Sequence, residues 1–336
     1  MKTISLSFIG FGNIGRGVAR ILMNKKQLFK EKYGIEFRVI SITDSSATIW
    51  DEEINLEEAI MIKENLGALS GWTNEYEVFD FRPIDVVREV DSDIVIDVTN
   101  DPNAHIWHLQ ALREGRNIVT SNKPPLAFHY WELIHEAGKR GLSYKFEATV
   151  MAGTPIITLL QESLKGDSIE KIEGVFNGTT TFILSEMEKG INFEEALRKA
   201  QKLGIAERDP SGDINGVDAG YKATILHCVA FHPITFREIK IKGIDEITEK
   251  EVQQFLGRKQ VIRLIAKVEE GNVSVEPMTI PKSSPLAVYG TSNVAIIKGD
   301  LGGEIVLKGA GAGIKETASA VVSDIIRTCL TLKNKT

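Results

Sequence analysis

Apolar and polar positions alternate in a way that predicts strands and helices in turn over the first 147 residues. Residues 2–9 are β-branched and apolar and predict a strand, and the run 16–28 that follows has helical spacing. Further strands are predicted at 36–43, 93–98, 117–120 and 143–147, with helices at 83–90 and 128–140. Because the strand at 93–98 is almost wholly apolar, we expect a doubly wound, parallel α/β sheet.

From Ala148 onward the pattern changes and indicates a second α/β domain. Predicted helices cover 156–164, 182–189 (capped from within the NGTT stretch 177–180), 193–203 and 218–231, and predicted strands cover 169–176, 262–269, 273–277, 295–298 and 305–307. A final helix is predicted at 317–332. We therefore expect one domain from residues 1–147 with 306–336, and another from 148–305.

Composition narrows the classes of protein and partner. The 336 residues are 43% hydrophobic and 26% charged, as in ordinary globular proteins, with a net charge of −6. That charge argues against nucleic acid or an anionic membrane as partner. We find no apolar run long enough for a bilayer and no signal-peptide pattern at the start. Cys228 and Cys329 lie too far apart for a metal motif, and two cysteines do not indicate a disulfide framework. A reducing cytoplasm therefore fits.

A glycine motif follows the first strand directly. Its residues are Gly10, Gly12, Asn13, Ile14 and Gly15, in the order GxGxxG between a strand and a helix. Glycines allow a tight turn and close approach of a pyrophosphate, and the helix N-terminus offers free N–H groups to it. In this context the motif predicts a Rossmann-type domain that binds a dinucleotide, in preference to a purely structural turn.

Two later strand ends supply further candidate contacts to that dinucleotide. Asp44 ends the second strand and is placed to accept hydrogen bonds from an adenosine ribose, although a turn or cap role stays open. No arginine follows it directly, which favours NAD over NADP. Thr99 follows the strand 93–98, whose end should face ligand. The acidic residues 51–80, closing near Asn74, are expected to cover the adenosine side.

Lys123 and two histidines are the other polar candidates of this domain. Lys123 leaves the strand 117–120 within SNKPP, and the prolines that fix its backbone favour an active-site lysine over an exposed loop lysine. His105 and His108 are three apart, but no third ligand accompanies them. A structural or exposed role is therefore expected instead of a metal site.

The stretch 203–226 concentrates acids around one lysine. Glu207, Asp209 and Asp213 lie in a loop broken by proline and glycine, while Asp218 and Lys222 share one face of the next helix. Such a group can bind an amino-bearing substrate beside a proton donor. The alternative is a solvated loop with one weak surface ion pair, and Asp209 is interpreted as a loop or capping residue.

The chain resembles homoserine dehydrogenases over essentially its whole length, most closely their short, monofunctional form. The segments that carry the resemblance are GFGNIG (10–15), TSNKPP (120–125), EATVMAGTPII (147–157), NGTTTFILSEM (177–187), LGIAERDPSGDINGVDAGYKATIL (203–226) and KGAGAGIKETA (308–318). The resemblance implies interconversion of L-homoserine and L-aspartate 4-semialdehyde with NAD or NADP, a step towards threonine, methionine and isoleucine.

The resemblance also implies roles for individual residues. It assigns Lys222 as the proton donor and Lys123 as a second active-site lysine. Glu207 and Asp218 match the residues that hold the substrate's amino end, with Asp213 in support. It further implies that the nicotinamide contacts Gly204 and Gly313. It also implies a sodium ion bound by backbone carbonyls, at Glu147, Val150, Ala152 and Thr154.

Family members form dimers, so the resemblance implies a homodimer built on the second domain's sheet. The open-faced strand 169–176 is the expected contact. Two other functions stay open at this point. A polyol-type dehydrogenase also has a lysine before proline after a Rossmann strand, but a polyol has no ammonium group for the acids to bind. A non-enzymatic dinucleotide sensor would need the glycine motif but not Lys222.

Overall fold

The computed structural model describes residues 2–72 and 77–333 and divides the chain into two compact units. The first unit is Met1–Thr149 with Ile314–Thr336, and the second is Val150–Gly313. The predicted boundary at 305/306 differs from this division because it falls inside a strand, Gly303–Ala310, whose whole length pairs with its neighbour. Asn74 lies outside the described residues.

The sheet of the first unit is doubly wound around its first strand. Its strands, in chain order, are β1 (Lys2–Ile9), β2 (Ile35–Thr43), β3 (Thr48–Trp50), β4 (Glu77–Phe79), β5 (Ile94–Asp97), β6 (Asn117–Thr120) and β7 (Tyr144–Lys145). In space their order is β4-β3-β2-β1-β5-β6-β7, and the pairs from β2 to β7 are parallel. The order reverses between β1 and β5, which is where ligands bind in such sheets.

β3 and β4 were not predicted, and they make the sheet mixed. Both pair antiparallel, β3 with β2 and β4 with β3. They extend the sheet from the segment that the sequence suggested to be an excursion. The fold class of a Rossmann-like domain followed by a second α/β domain is confirmed.

The helices of the first unit come from both ends of the sequence. They are α1 (Asn13–Asn24), α2 (Lys26–Tyr33), α3 (Leu56–Leu66), α4 (Pro83–Glu89), α5 (His105–Arg113), α6 (Lys123–Arg140) and the last helix (Ile314–Lys333). A short 3₁₀ turn at Leu69–Gly71 and another at Glu147–Thr149 complete the unit. The last helix packs on α1 so closely that a Cβ on Gly17 would lie 3.0 Å from Ile314 and 3.1 Å from Ala318. The predicted single helix 16–28 is in fact two helices that meet at Lys25.

The second unit is a six-stranded sheet with helices. Its strands are β8 (Ile169–Val175), β9 (Lys240–Ile241), β10 (Gln260–Glu269), β11 (Asn272–Pro281), β12 (Ser292–Gly299) and β13 (Gly303–Ala310). The spatial order is β13-β12-β8-β10-β11-β9, antiparallel except between β9 and β11. β8 pairs with β10 on one side and β12 on the other. Any contact it offers a partner is therefore through its face, since both edges are occupied.

The helices of the second unit precede and interrupt this sheet. They are α7 (Ile156–Thr158), α8 (Gly178–Met187), α9 (Phe193–Lys202), α10 (Ser211–Ile214), α11 (Val217–Ala230) and α12 (Glu249–Gly257), so that the last helix of the chain is α13. A π-helical turn, Leu159–Ser163, continues α7, and a 3₁₀ turn lies at Phe236–Glu238. None of the helices among the described residues combines the length and the apolar composition that a membrane crossing demands.

Candidate active site

The glycine turn between β1 and α1 has the backbone geometry that its sequence predicted. Gly10 adopts φ +97°, and a Cβ there would meet Thr99 and Val98 at 3.0–3.1 Å. A Cβ on Gly15 would lie 2.5 Å from the Gly10 carbonyl oxygen. A Cβ on Gly12 would meet no atom within 4 Å, so this turn borders open space. Gly12 caps α1 without a side-chain hydrogen bond, which leaves N–H groups for an anion.

Thr99 is held at the end of β5 by a buried network around Asp97. Its backbone N–H and hydroxyl both donate to Asp97 Oδ1, at 2.9 and 2.7 Å. Asp97 Oδ2 accepts from His108 Nε2 at 2.8 Å and from Asn122 Nδ2 at 3.2 Å. Burial and then Asp97 raise the pKa of Tyr144 well above its ordinary value, and its hydroxyl is hydrogen-bonded to His108 Nδ1 at 2.7 Å.

Lys123 is the first residue of α6 and not part of a loop, as the sequence had suggested. Asn122 caps that helix and donates to Asp97, to Thr99 Oγ1 and to the Asp101 carbonyl. Pro124 and Pro125 occupy the first turn, where a missing N–H costs nothing. The half-buried Lys123 is therefore attached to the same network that fixes Thr99.

The carboxylate of Asp44 is already occupied by protein donors. Oδ1 accepts from the Ser46 N–H and hydroxyl and from the Ala47 N–H, and Oδ2 accepts from Lys63 Nζ and the Leu69 N–H. Burial raises the pKa of Asp44, but these hydrogen bonds outweigh it and hold the pKa below its ordinary value. Asp44 thus organises its own turn, the alternative role considered from the sequence.

In the second unit, Lys222 is a buried cation with two fixed hydrogen bonds. Its Nζ donates to the Phe176 carbonyl at 2.7 Å and to Asp218 Oδ2 at 2.6 Å. The predicted pairing of Asp218 and Lys222 along one face of α11 is therefore present. An ammonium group has three N–H bonds, so one is left for a further acceptor.

Asn177 connects the acids that the sequence placed far from it. Its Nδ2 donates to Asp213 Oδ1 at 2.6 Å and to Asp218 Oδ2 at 3.0 Å. Asp213 lies on the short helix α10, and Gly216, in the left-handed region at φ +79°, turns the chain from α10 into α11. The structure thus brings Asp213, Asp218 and Lys222 together.

Glu207 and the other predicted contacts of the second unit lie outside that hydrogen-bonded group. Glu207 is exposed, and in the described part of the chain no hydrogen bond joins its carboxylate to Asp213 or Asp218. Gly204 (φ +69°) ends the turn after α9, and Gly313 is the last residue of the unit. Asp209 accepts from the Ser211 N–H at 3.1 Å in the loop that leads into α10, whose N-cap residue is Pro210.

The segment 147–154 contains an unusual turn. Met151 and Ala152 are consecutive non-glycine residues at φ +58° and +49°, a conformation with a steric cost for L-residues. The Thr154 carbonyl accepts from the Ile156 N–H at 2.8 Å, whereas the described backbone groups include no donor to the Val150 or Ala152 carbonyl. Glu147, in the first unit, is buried, and its N–H donates to Asp324 Oδ2 at 2.7 Å.

Comparison with known proteins accounts for both units. Residues 10–147 match the family model for the NAD-binding domain of homoserine dehydrogenase, and residues 155–326 match the homoserine dehydrogenase model itself. The chain belongs to the homoserine dehydrogenase family. Its members are NAD(P)-dependent oxidoreductases.

Individual homoserine dehydrogenases are similar from end to end. The protein from Pyrococcus horikoshii is 43% identical, covering 98% of this chain and 99% of its own. The protein from Methanocaldococcus jannaschii is also 43% identical, covering 96% and 98%. A solved structure, a hyperthermophilic archaeal homoserine dehydrogenase in complex with NADPH, superposes with a TM-score of 0.89 at 43% identity and covers 98% of both chains.

Family membership decides between the functions that the sequence left open. An oxidoreductase of the homoserine dehydrogenase family is neither a polyol-type enzyme nor a non-enzymatic sensor. The predicted NAD(P) dependence is confirmed at the level of the family. His108 is buried and bonds to both Asp97 and Tyr144, so it has a structural role in the first unit.

Sequence reasoning missed three residues that organise the two candidate sites. Asp97 and His108 fix Thr99 and Asn122 in the first unit, and Asn177 joins two acids in the second. Asp97 was visible as an acid in the apolar run 93–98, which is a signal for a buried partner. Asn177 was noticed only as a helix cap, because its carboxylate partners lie 36 and 41 residues further along the chain.

Proposed function

We propose that the Lys222 group is the substrate site for interconversion of L-homoserine and L-aspartate 4-semialdehyde. The observation that carries the proposal is the buried Lys222 ammonium, held at 2.6 Å from Asp218 with one N–H bond left to donate. As hydride reaches the aldehyde carbon, the carbonyl oxygen gains negative charge, and Lys222 supplies the proton that makes it a hydroxyl.

The neighbouring acids suit the other end of the substrate. Asp213 and Asp218 present two carboxylates beside Lys222, and a substrate ammonium is the natural partner for them. Glu207 is exposed and is free to move onto the same ammonium. Lys123 is proposed as the second active-site lysine, supported by its fixed position at the start of α6.

The first unit suits an NAD(P) cofactor, whose nicotinamide supplies or accepts the hydride. Gly10, Gly12 and Gly15 shape a turn with open space in front of it, and α1 directs its unpaired N–H groups there. Asn13, Ile14 and Thr99 border this turn. Contacts of the nicotinamide with Gly204 and Gly313 remain part of the proposal on the resemblance alone.

We infer a preference for NAD over NADP. A 2′-phosphate near Asp44 would have to approach a carboxylate, and the nearby Lys63 ammonium is already paired with it. Ser45 and Ser46 follow Asp44, so no arginine stands directly behind it. Ribose hydroxyls, in contrast, carry no charge and meet no such repulsion from the Asp44 carboxylate.

A sodium ion is proposed at the turn that follows Glu147. The left-handed pair Met151 and Ala152 turns the backbone sharply, and carbonyl oxygens such as those of Val150, Ala152 and Thr154 suit a hard cation. This chemistry supports the ion, which would stabilise the strained turn. Loss of thermal stability in sodium-free buffer, with potassium as the control, would support it.

We also propose a homodimer formed through the sheet of the second unit, in a cytoplasmic protein. Partly buried residues of β8 carry paired charges, including Lys171 with Glu173 at 3.0 Å, and Val306 on the edge strand β13 is exposed. The two cysteines are both free and buried, as suits a reducing compartment. Sedimentation equilibrium would test the dimer, and a monomer at micromolar concentration would contradict it.

The experiment for the proposed function measures NADH or NADPH formation from L-homoserine at alkaline pH. Turnover that saturates with homoserine, and that polyols of similar size do not give, is expected. The ratio of kcat/KM for NAD to that for NADP is expected to exceed one. A purified, folded protein that binds NAD but oxidises no homoserine would contradict the proposed activity.

A further inference from the structure

Asn177 occupies a buried position between three elements of the second unit. It lies two residues after the end of β8, is 3% exposed, and caps α8 through Oδ1, which accepts from the Thr180 N–H at 2.9 Å. Its backbone carbonyl accepts from the hydroxyls of Thr180 and Thr181 at 3.1 and 2.8 Å. The backbone and the amide oxygen of Asn177 are therefore both fixed, and the amide nitrogen can point in only one direction.

That amide nitrogen supplies one hydrogen to each of two carboxylates. Nδ2 donates to Asp213 on α10 and to Asp218 on α11, at 2.6 and 3.0 Å. Two carboxylates that share one site repel each other, and a donor placed between them lowers that repulsion and fixes the rotamer of both. A primary amide suits this position because it has two N–H bonds on one atom.

The hydrogen bond from Asn177 to Asp218 also affects Lys222, the proposed proton donor. Asp218 Oδ2 accepts both from Asn177 and from Lys222 Nζ, so the amide competes with the ammonium for one oxygen. Phe176, the residue before Asn177, accepts from Lys222 through its carbonyl at 2.7 Å. The Phe176–Asn177 peptide thus meets the lysine on one side and the two acids on the other.

We propose that Asn177 is a positioning residue for the substrate ammonium. It does not itself touch the reacting atoms. It holds the Asp213 and Asp218 carboxylates at the spacing that receives the ammonium, and it keeps Asp218 from turning wholly towards Lys222. The inference rests on the proposed function, because it assigns those acids to L-homoserine.

Asn177→Asp removes the two donated hydrogen bonds and adds a third carboxyl group beside Asp213 and Asp218, so Asn177→Ser, which adds no charge, is measured with it. Aspartate has nearly the same shape and caps a helix equally well, so the bond to Thr180 is kept while the N–H donors become an acceptor. We expect KM for L-homoserine to rise at least tenfold, because the interaction lost is one made equally in the bound substrate and in the transition state. The value of kcat should fall less than threefold, and the Kd for NAD should stay within twofold.

Asn192→Asp is the matched control. Asn192 also caps a helix of this unit, α9, through a bond from the Glu195 N–H at 2.9 Å, but it is exposed and has no bond to these acids. Its KM should stay within twofold of the parent value. If Asn177→Asp does not fold, Asn177→Ser keeps a capping oxygen, adds no charge and should raise KM at least threefold.

The possible outcomes distinguish a failure of the positioning role from a failure of the proposed homoserine oxidation. An unsubstituted protein that oxidises no homoserine contradicts the proposed function itself. An active protein whose folded Asn177→Asp and Asn177→Ser variants keep KM within twofold would overturn the positioning role. A fall in kcat with unchanged KM would overturn it too, since the acids would then act in the chemical step and not in holding the ammonium.

Discussion

At the scale of single residues, the proposed proton donor is a cation that the protein can bury only because it is paired. Lys222 is 7% exposed, and an unpaired ammonium there would cost several kcal/mol of unfolding free energy. Asp218 and the Phe176 carbonyl provide the compensation. The two hydrogen bonds that offset the cost of burying Lys222 therefore also fix the direction of its third N–H bond.

Lys222→Ala is expected to reduce kcat by about 100- to 10,000-fold, the usual contribution of a positioned proton donor. The Kd for NAD should change less than twofold, because the cofactor turn belongs to the first unit. Steady-state kinetics and cofactor fluorescence measure the two quantities. Lys202→Ala, at an exposed lysine of α9, should alter neither, and turnover retained by Lys222→Ala would remove it as proton donor.

A second residue-scale prediction concerns pH. Burial lowers the pKa of His227, whose ring bonds to the His232 carbonyl at 2.9 Å, below its ordinary value of 6.5. The unfolded chain therefore binds this proton more readily than the folded one, and stability that is fully present above pH 6.5 is lost as the pH falls below it.

His227→Gln should remove the contribution of His227 to the pH dependence of stability. Between pH 7 and pH 5 the thermal midpoint should fall less in the variant than in the parent protein. Other titrating groups are common to both proteins, so the difference between the two slopes reports His227. Equal slopes would show that His227 does not couple folding to protons in this range.

Part of the site was predictable at this scale and part was not. Asp218 and Lys222 are four residues apart, so helical periodicity alone pairs them. The Phe176 carbonyl and the Asn177 amide enter the site from a strand end more than 35 residues earlier, and only the packing of β8 against α11 brings them there. Asp44 was predicted to face a ribose, but Lys63 and Leu69 supply donors that local sequence does not reveal.

At the scale of elements, the glycine turn shows two different reasons for the absence of a side chain. At Gly15 the space is taken by the Gly10 carbonyl, so a Cβ would strain the turn between β1 and α1. At Gly12 the space is empty of protein, so a Cβ would strain nothing in the protein alone. The fold therefore requires the first glycine, and we propose that the second leaves room for the dinucleotide.

The paired variants Gly15→Ala and Gly12→Ala test this distinction. Gly15→Ala should lower the free energy of unfolding by about 1–3 kcal/mol and weaken NAD binding as well. Gly12→Ala should leave the thermal midpoint without NAD within a degree or so while raising the Kd for NAD at least tenfold. Calorimetry and NAD titration give both quantities, and unchanged NAD affinity in Gly12→Ala would contradict the cofactor turn.

Whether the sequence predicted a helix or strand depended on the length of that element and on its pairing partners. β1 and β6 match the predicted ranges residue for residue, because buried parallel strands have an unmistakable apolar run. The three-residue strands β3 and β4 were missed, since their pairing depends on the edge of β2 and not on a pattern of their own. α12 was missed although Thr248 and Glu251 form a capping box that the sequence displays.

At the scale of the whole molecule, each unit contains one buried thiol. Cys329 lies on α13 in the first unit and Cys228 on α11 in the second, and both are free. Burial raises the pKa of Cys228 to about 11, which adds to its protection from alkylation. The two thiols are therefore separate reporters of opening in the two units.

Thiol labelling during mild denaturation should respond to NAD in one unit more than in the other. At an NAD concentration of 100 times Kd, a unit that binds NAD gains about 2.7 kcal/mol, which slows labelling through its open state up to about 100-fold. We expect that effect at Cys329 and a smaller one at Cys228, measured by mass spectrometry. Equal protection of both would mean that the two units open together.

The composition of the first unit has a consequence for synthesis on the ribosome. α13 packs on α1, and its residues Ala318, Val321 and Ile325 belong to the same core as Val18. That core stays incomplete until Ile314–Lys333 has left the exit tunnel, whereas all residues of the second unit have been made by then. We therefore expect the second unit to complete its fold first. The first unit keeps part of its apolar core exposed until α13 can pack on it.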